Sequence, residues 1–310
     1  MFKRVMVAVV GIPLLLVLLG WAPAGATMIL TMGMCAIGAW ELMHAVRGEQ
    51  EKSLIDPMTW VPMLMAIVIP WKIREIYTLG SLLLYYFQNP AETMWSYTQE
   101  ISTQRVELVV GQVAELGAWV LAFLLALFAC SILRYGKDRA VPFGELTAAI
   151  FAGMVFPAML SSLLLLRLED HGQALVFLPL CISFGSDTFA LFAGMLCGHH
   201  KLTPVSPKKT VEGAVGGLIG GLFGMAVFKL ISQAALAVVL VDWTGVLVFG
   251  ILGSVVGQIG DLSFSVIKRE FGVKDYGHLL PGHGGILDRF DSVTFVAPFV
   301  WLALQFYTVS

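Results

Sequence analysis

Runs of about 20 apolar residues recur along this chain with almost no charge inside them, the length a helix needs to cross the hydrocarbon of a bilayer. Such runs fall near 5–21, 24–41, 112–133, 144–166, 173–197, 211–231, 235–257 and 292–308. A further stretch, 57–87, holds two shorter apolar runs, Trp60 to Trp71 and Ile76 to Phe87, parted by Lys72, Arg74 and Glu75. It reads as one broken crossing with an interfacial piece. The expected architecture is an all-α polytopic membrane protein of about nine transmembrane helices, with eight and ten as the bounds. Composition supports this, because 58% of the 310 residues are hydrophobic and only 13% charged, where a soluble domain carries about 25% charge. A soluble core cannot bury that excess. A formal charge of −2 offers no basic surface for nucleic acid. Cys35, Cys130, Cys181 and Cys197 all sit within apolar runs, which excludes a disulfide scaffold.

Basic residues orient the spans. With the N-terminus inside, the inside segments carry Lys3, Arg4, Arg47, Lys52, Arg134, Lys137, Arg139, Lys201, Lys208, Lys209, Lys268, Arg269, Lys274 and Arg289. The other side keeps little beyond Arg105, Arg167 and Lys229. The N-terminus is expected in the cytoplasm and the C-terminus outside. The first 26 residues resemble a signal peptide in outline, but the apolar pattern resumes directly after Pro23, which suits a tight helical hairpin better than a cleavage site.

The chain divides by polarity into residues 1–140, N-terminal transmembrane helices, and residues 141–310, a second membrane region with two unusual cytoplasmic loops, 198–210 and 258–291. In the second loop Asp261, Ser265 and Lys268 are spaced i, i+4, i+7 and share one helix face, with Arg269 beside them. Asp288 and Asp291, spaced i, i+3, share another and flank Arg289. Between them Pro281-Gly282-His283-Gly284-Gly285 cannot be regular helix, and its glycines let backbone approach a ligand. Carboxylates, cations and a glycine turn are what a Mg²⁺–polyphosphate site requires. Lys268 and Arg269 alone would read as membrane anchors, and His283 alone as a turn residue. Their density argues for a site: Asp261, Glu270, Asp275, Asp288 and Asp291 share one short stretch with four cations and two histidines.

Asp187 interrupts an apolar span, and an acid at that depth points to function, although a packing contact with Ser186 or Thr188 would also account for it. Downstream, Ser206-Pro207-Lys208-Lys209-Thr210 precedes a helix start and suits phosphate at a helix N-terminus; a simple Thr210 N-cap is the plainer reading. Glu41 and Asp242 stand alone and read as structural. Gly216, Gly217, Gly220, Gly221 and Gly224, with Gly253 and Gly257, give GxxxG spacings suited to close helix packing. Cys197, His199 and His200 lack the further ligand pair a zinc site needs.

Ser265-Val-Ile-Lys268-Arg269, Lys274-Asp275-Tyr-Gly277 and Leu280-Pro281-Gly-His283-Gly284-Gly285-Ile-Leu-Asp288-Arg289-Phe-Asp291 closely resemble the signature of the phosphatidate cytidylyltransferases, or CDP-diacylglycerol synthases. The Asp187-Thr188 element and the run from Ser206 to Gly213 resemble that family too, so the likeness is strong over about 180–292. It implies an enzyme, a nucleotidyltransferase in phospholipid biosynthesis that converts CTP and phosphatidate to CDP-diacylglycerol and pyrophosphate with Mg²⁺, and possible use of a monovalent cation. Asp261 and Asp288 match positions implicated in metal binding, with Asp291 and Asp187 as further acids. Ser265, Lys268 and Arg269 match positions that contact phosphate or organise the acids. Ser206, Lys208, Lys209, Thr210, Lys274, Gly284, Gly285 and Arg289 are the candidate substrate contacts, and His283 a donor to a phosphate oxygen. CTP would arrive from the cytoplasm and phosphatidate from the bilayer, so a polar cavity open to the cytoplasm and to membrane lipid is expected, in the inner (cytoplasmic) membrane; the resemblance adds a homodimer. One departure is Phe264, where many members carry Glu.

Other functions fit less well. A CTP enzyme acting on ether lipids shares the metal site and differs only in its lipid pocket; the long signature argues against a polyprenol kinase. A secondary anion transporter would show matched halves, whereas polar residues here crowd the second half. An assembly protein built on the GxxxG spans leaves the charged cluster without a purpose. A CDP-alcohol phosphotransferase needs an Asp-Gly-x-x-Ala-Arg run, which is absent.

Overall fold

The computed structural model describes residues 11, 13–48, 56–88, 95–137, 140–277 and 284–307, with backbone alone for 86–88 and 95–105. These residues are helical throughout apart from short connections, and no named strand forms among them. The long elements are α1 (Ala24–Arg47), α2 (Pro57–Gln88), α3 (Trp95–Arg134), α4 (Phe143–Leu168), α5 (Leu178–Cys197), α6 (Val211–Leu236), α7 (Trp243–Glu270) and α8 (Leu287–Leu304). Six described helical segments are long and apolar enough to cross a membrane: Ala24–Arg47, Val106–Arg134, Phe143–Leu168, Gly172–Cys197, Val211–Leu236 and Trp243–Glu270. The chain is an integral membrane protein. Much of the 5–21 span, with Lys3 and Arg4, lies outside the described residues, as do Lys52 and Arg139. Residues 13–20 are helical, and a break at 21–23 leads into α1, as a hairpin requires; the Thr27 hydroxyl donates to the Leu18 carbonyl at 3.2 Å across it.

Two expectations need correction. The 57–87 stretch is not broken: α2 runs without interruption through Lys72, Arg74 and Glu75, with Pro62 and Pro70 inside it. Its charges do not end the helix because they find partners within the protein. Lys72 is buried and its Nζ lies 2.8 Å from Glu75, 2.9 Å from Glu115 and 3.0 Å from Gln112. Second, the 258–291 segment is loop only in part, since α7 carries on as helix to Glu270.

The described chain forms two compact units. One comprises residues 31–43 and 47–161 and is closed by ion pairs between helix ends. Arg47 ends α1, Asp56 precedes α2, Arg134 ends α3 and Glu145 opens α4. Asp56 takes Arg47 at 2.9 Å and Arg134 at 3.0 Å, and Arg47 reaches Glu145 at 2.9 Å. Burial alone would raise the Asp56 carboxyl, but hydrogen bonds from Arg47, Arg134 and the Met58 N–H overcome it and hold the group below its ordinary value.

The other unit comprises residues 1–30, 44–46 and 162–310. Its centre is α6, whose glycines permit backbone-to-backbone approach. On one face, side chains added at Gly216, Gly220 and Gly224 would run into Ala193, the Gly185 carbonyl and the Cys181 carbonyl of α5. The pairing runs antiparallel, since rising numbers on α6 meet falling numbers on α5. On the other face, Gly217 meets Gln258 and Gly221 meets Ser254 of α7. Gly257 and Gly260 of α7 in turn admit Val296 and Phe295 of α8. An apolar core including Leu178, Ile182, Met225, Phe228, Phe249, Val296 and Val300 fills the space between these helices. Asp242 is structural, as expected: it caps α7 by accepting the Gly245 N–H at 2.7 Å.

Candidate active site

The connection from α5 to α6 is a short hairpin held by backbone. Leu202 N–H donates to the Lys209 carbonyl at 3.0 Å, and Val211 N–H to the His200 carbonyl at 2.9 Å. Thr210 is a true N-cap, its hydroxyl accepting the Gly213 N–H at 3.1 Å. Glu212, in the first turn of α6, reaches back to His200, whose Nδ1 lies 2.6 Å from Oε1. The hairpin therefore has two fixed ends, and Lys208 and Lys209 ride between them. Arg269, at the end of α7, ties the hairpin down by donating to the Val205 carbonyl at 3.4 Å while also reaching the Val273 carbonyl at 3.1 Å.

This arrangement walls a cavity of about 450 Å³ between α5, the hairpin, α6 and α7. Asp187, Ser206, Lys208, Lys209, Thr210 and Asp261, all expected from the sequence, line it together. Apolar side chains share the lining, among them Leu191, Met195, Leu202 and Leu262. One pocket thus offers cations and hydroxyls beside a greasy surface. Gln258, which sequence reasoning missed, also lines it and donates to the Ala214 carbonyl at 3.0 Å.

The four acids reach this region from three helices. Asp261 on α7 is ion-paired with Lys209 of the hairpin. Asp187 on α5 accepts from the Ser292 hydroxyl of α8 at 3.4 Å, and its carboxylate feels both Asp261 and Lys209. Asp291, buried on α8, accepts the Ser292 N–H at 2.8 Å and feels Asp261 and Asp187. Asp288 points to a different set of partners: Lys268 at 3.0 Å, the Tyr276 N–H at 2.9 Å and the Gly285 N–H at 3.0 Å. It closes the loop between α7 and α8, where Gly284 adopts φ +85° and a side chain would meet the Asp288 carboxylate.

Tyr276 is the second residue that spacing did not reveal. It is buried, donates to the Phe264 carbonyl at 2.9 Å and places its ring 5.4 Å from the Lys268 ammonium. Burial, then the carboxylates of Asp288 and Asp291, push its phenol above the ordinary value. Phe264 packs edge-on against Tyr276 and Phe295, so this position belongs to an aromatic cluster. Ser265 is buried, while Lys208, Arg269, Lys274 and Arg289 are exposed. His283 lies outside the described residues.

As the side chains stand, no three of the described Asp, Glu, His or Cys residues are grouped to enclose a metal ion. The donor set nonetheless suits a hard cation, because it is carboxylate oxygen throughout. Two of the four acids already pair with positive charge, Asp261 with Lys209 and Asp288 with Lys268.

Comparison with known proteins adds an independent line. The family model described as the cytidylyltransferase family matches residues 2–307. Over 232 residues the chain is 33% identical to a phosphatidate cytidylyltransferase of Bacillus subtilis, covering 74% of this chain and 78% of that protein. A phosphatidate cytidylyltransferase of Haemophilus influenzae is 33% identical over 221 residues, 66% of this chain and 74% of that protein. One from Staphylococcus haemolyticus reaches 51% identity over 120 residues, 38% of this chain and 44% of that protein.

Proposed function

The chain belongs to the cytidylyltransferase family, and from that premise we propose that it is a phosphatidate cytidylyltransferase, converting CTP and phosphatidate to CDP-diacylglycerol and pyrophosphate. The observation that carries this reading is the cavity itself, which Lys208, Lys209, Ser206 and Thr210 line together with Leu191, Met195 and Leu262. A triphosphate needs the first group of residues and a lipid tail the second.

The lipid brings its own nucleophile. An oxygen of the phosphatidate phosphate attacks the α-phosphorus of CTP, a new P–O–P link forms, and the bond to the β-phosphate breaks with pyrophosphate as leaving group. No activated serine or cysteine is required, so the protein's task is to position two anions and compensate their charge. Lys208 and Lys209 hold phosphate oxygens at the mouth of the cavity. Lys268, Arg269, Lys274 and Arg289 add positive charge for the phosphates, and the Gly284 backbone and His283 donate to phosphate, while the Gly285 N–H holds Asp288. Ser265 supports the acid-bearing face of α7. Asp261 and Asp288, with Asp291 and Asp187, would hold Mg²⁺, with room in the same acid set for a monovalent cation. The metal's chemistry is neutralisation of charge on the attacking and leaving phosphates.

The wider setting follows the same reading. The cavity faces the cytoplasm, the source of CTP, and opens sideways to the lipid leaflet; the chain crosses the inner membrane about nine times and works as a homodimer. The basic residues of the hairpin and the α7–α8 loop support that facing. The test uses purified protein in detergent with phosphatidate, CTP and Mg²⁺, following both products, with Asp288→Asn alongside. Equal amounts of CDP-diacylglycerol and pyrophosphate, lost in the variant, are expected. CTP binding without either product would transfer the reading to an ether-lipid or polyprenol acceptor, and absence of CTP binding would end it.

A further inference from the structure

Two of the acids proposed for the metal are joined to lysines that the same reading assigns to phosphate. Lys209 sits on Asp261 and Lys268 on Asp288. Neither lysine can serve both partners fully. An ammonium group committed to a carboxylate has fewer donors left for a phosphate oxygen, and a carboxylate committed to an ammonium group offers less to a metal.

We propose that Lys209 and Lys268 are exchangeable counter-ions, which compete with the divalent cation for Asp261 and Asp288 and move onto substrate phosphate when the cation takes the acids. The inference rests on the metal assignment made above and adds a linkage to it: metal and polyphosphate each favour the other's binding through the lysines, beyond the direct contact between the two.

Three features of the structure carry it. First, Lys209 reaches Asp261 from the cavity lining, and Lys268 stands seven residues along α7 from Asp261, on the same helix face. A swing of the side chain changes partners without moving a helix. Second, the pairs are graded in accessibility. The side chains of Lys209 and Asp261 are 28% and 25% exposed, while those of Lys268 and Asp288 are 12% and 6% exposed. The outer pair is the easier to open and the inner pair the costlier. Third, Asp288 is held in place by other contacts, so releasing Lys268 does not release it, and the backbone under Asp261 is fixed by its helix. Asp288 keeps the Tyr276 and Gly285 N–H groups, and Asp261 lies within a turn of α7. Lys268 also has a second resting place beside the Tyr276 ring.

Competition has a sign that a supporting salt bridge lacks. If a lysine competes with the cation, removing it tightens cation binding; if it only holds the acid in position, removing it weakens binding. The experiment titrates Mn²⁺ into the full-length protein in detergent and reads bound metal by electron paramagnetic resonance. It compares the natural chain with Lys209→Met, Lys209→Arg, Lys268→Met and Lys268→Arg. Each methionine variant is expected to bind Mn²⁺ about threefold to tenfold more tightly, and each arginine variant to stay near the natural chain because it keeps a counter-ion. In parallel, Mn²⁺ should speed acetylation of Lys209 in the natural chain, and added inorganic triphosphate should slow it. Unchanged or weaker Mn²⁺ binding in Lys209→Met, folded as judged by gel filtration, would overturn the exchange while leaving the metal assignment standing. This variant decides the matter even if Lys268→Met, at the more buried pair, does not fold. No Mn²⁺ binding by the natural chain would overturn the metal assignment and the exchange together.

Discussion

The two units of this protein contain the same chemistry in different housings. In residues 31–43 and 47–161, carboxylates and cations meet between helix ends, Asp56 with Arg47 and Arg134 and Glu145 with Arg47, and at mid-helix positions, Lys72 with Glu75 and Glu115. Arg47 and Asp56 expose only 4% and 5% of their side chains. In the unit built from residues 1–30, 44–46 and 162–310, Lys209 and Asp261 line a cavity and are a quarter exposed. Ion pairs between apolar helices therefore do not identify a site by themselves. What separates the second set is a glycine-packed framework that holds acids from three helices beside a space a ligand can enter.

The largest effect should come from breaking the open set. Asp261→Asn and Asp288→Asn are each expected to lower kcat/KM about 10³-fold, since each removes a carboxylate that would hold the cation neutralising the reacting phosphates. Their thermal unfolding should remain close to that of the natural chain for Asp261→Asn, whose carboxylate is partly hydrated. A variant that kept full activity would remove its acid from the chemistry.

The closed set should respond in the opposite way. Asp56→Ala leaves the Arg134 guanidinium without the carboxylate it now pairs with, a loss of about 3 kcal/mol in stability, with turnover per folded molecule little changed. The effect has a pH signature. Asp56 has a folded-state pKa held below its ordinary value, so its contribution is complete above about pH 4 and disappears as pH falls through the folded-state value. The difference in unfolding free energy between the natural chain and Asp56→Ala should be level near neutrality and shrink in acid. A difference that grew in acid would contradict the hydrogen-bonded, ionised carboxylate.

This contrast also explains what the sequence could and could not reveal. Apolar runs located α1 and α3 to α6 because lipid-facing length is a local property. The glycines of α6 were readable as packing residues for the same reason. The run at 235–257 starts too early, since 237–242 form the connection and α7 starts at Trp243 and runs on to Glu270. Lys72, Arg74 and Glu75 misled because charges in an apolar stretch look like an interruption, and the satisfaction of Lys72 depends on Gln112 and Glu115, some forty residues along the chain. The candidate site was legible as a density of residue types. Its partnerships were not, since Lys209 meets Asp261 across 52 residues and Asp187 meets Ser292 across 105. Helical spacing put Asp288 and Asp291 on one face, yet one serves the loop and the other lies buried beside Ser292. Tyr276 and Gln258 carried no signal of their own, because a tyrosine in a polar loop and a glutamine in a span acquire meaning only from what they touch.

A third test separates framework from surface. Alanine at Gly220 gains about 1 kcal/mol of helix propensity, but its methyl group would run into the Gly185 carbonyl, which is backbone and cannot turn aside. Overpacking should win, giving a net loss of about 1–2 kcal/mol. Gly117→Ala in α3 meets nothing within 4 Å and should be neutral or slightly stabilising. Equal effects at the two positions would mean that close α5–α6 packing is not what holds the cavity wall.

The smallest expected change concerns the boundary between holding a site and acting in it. Tyr276→Phe removes one hydrogen bond, the phenol donating to the Phe264 carbonyl, while keeping the ring beside Lys268 and the edge-on contact with Phe264. Losing that bond should lower stability by about 1 kcal/mol. Activity per folded molecule should stay within about threefold, because the contacts that position Asp288 come from the Tyr276 backbone N–H and not from its hydroxyl. A fall as deep as that of Asp288→Asn would show that the hydroxyl itself reaches substrate, and the division between the acids that react and the loop that carries them would have to be redrawn around Tyr276.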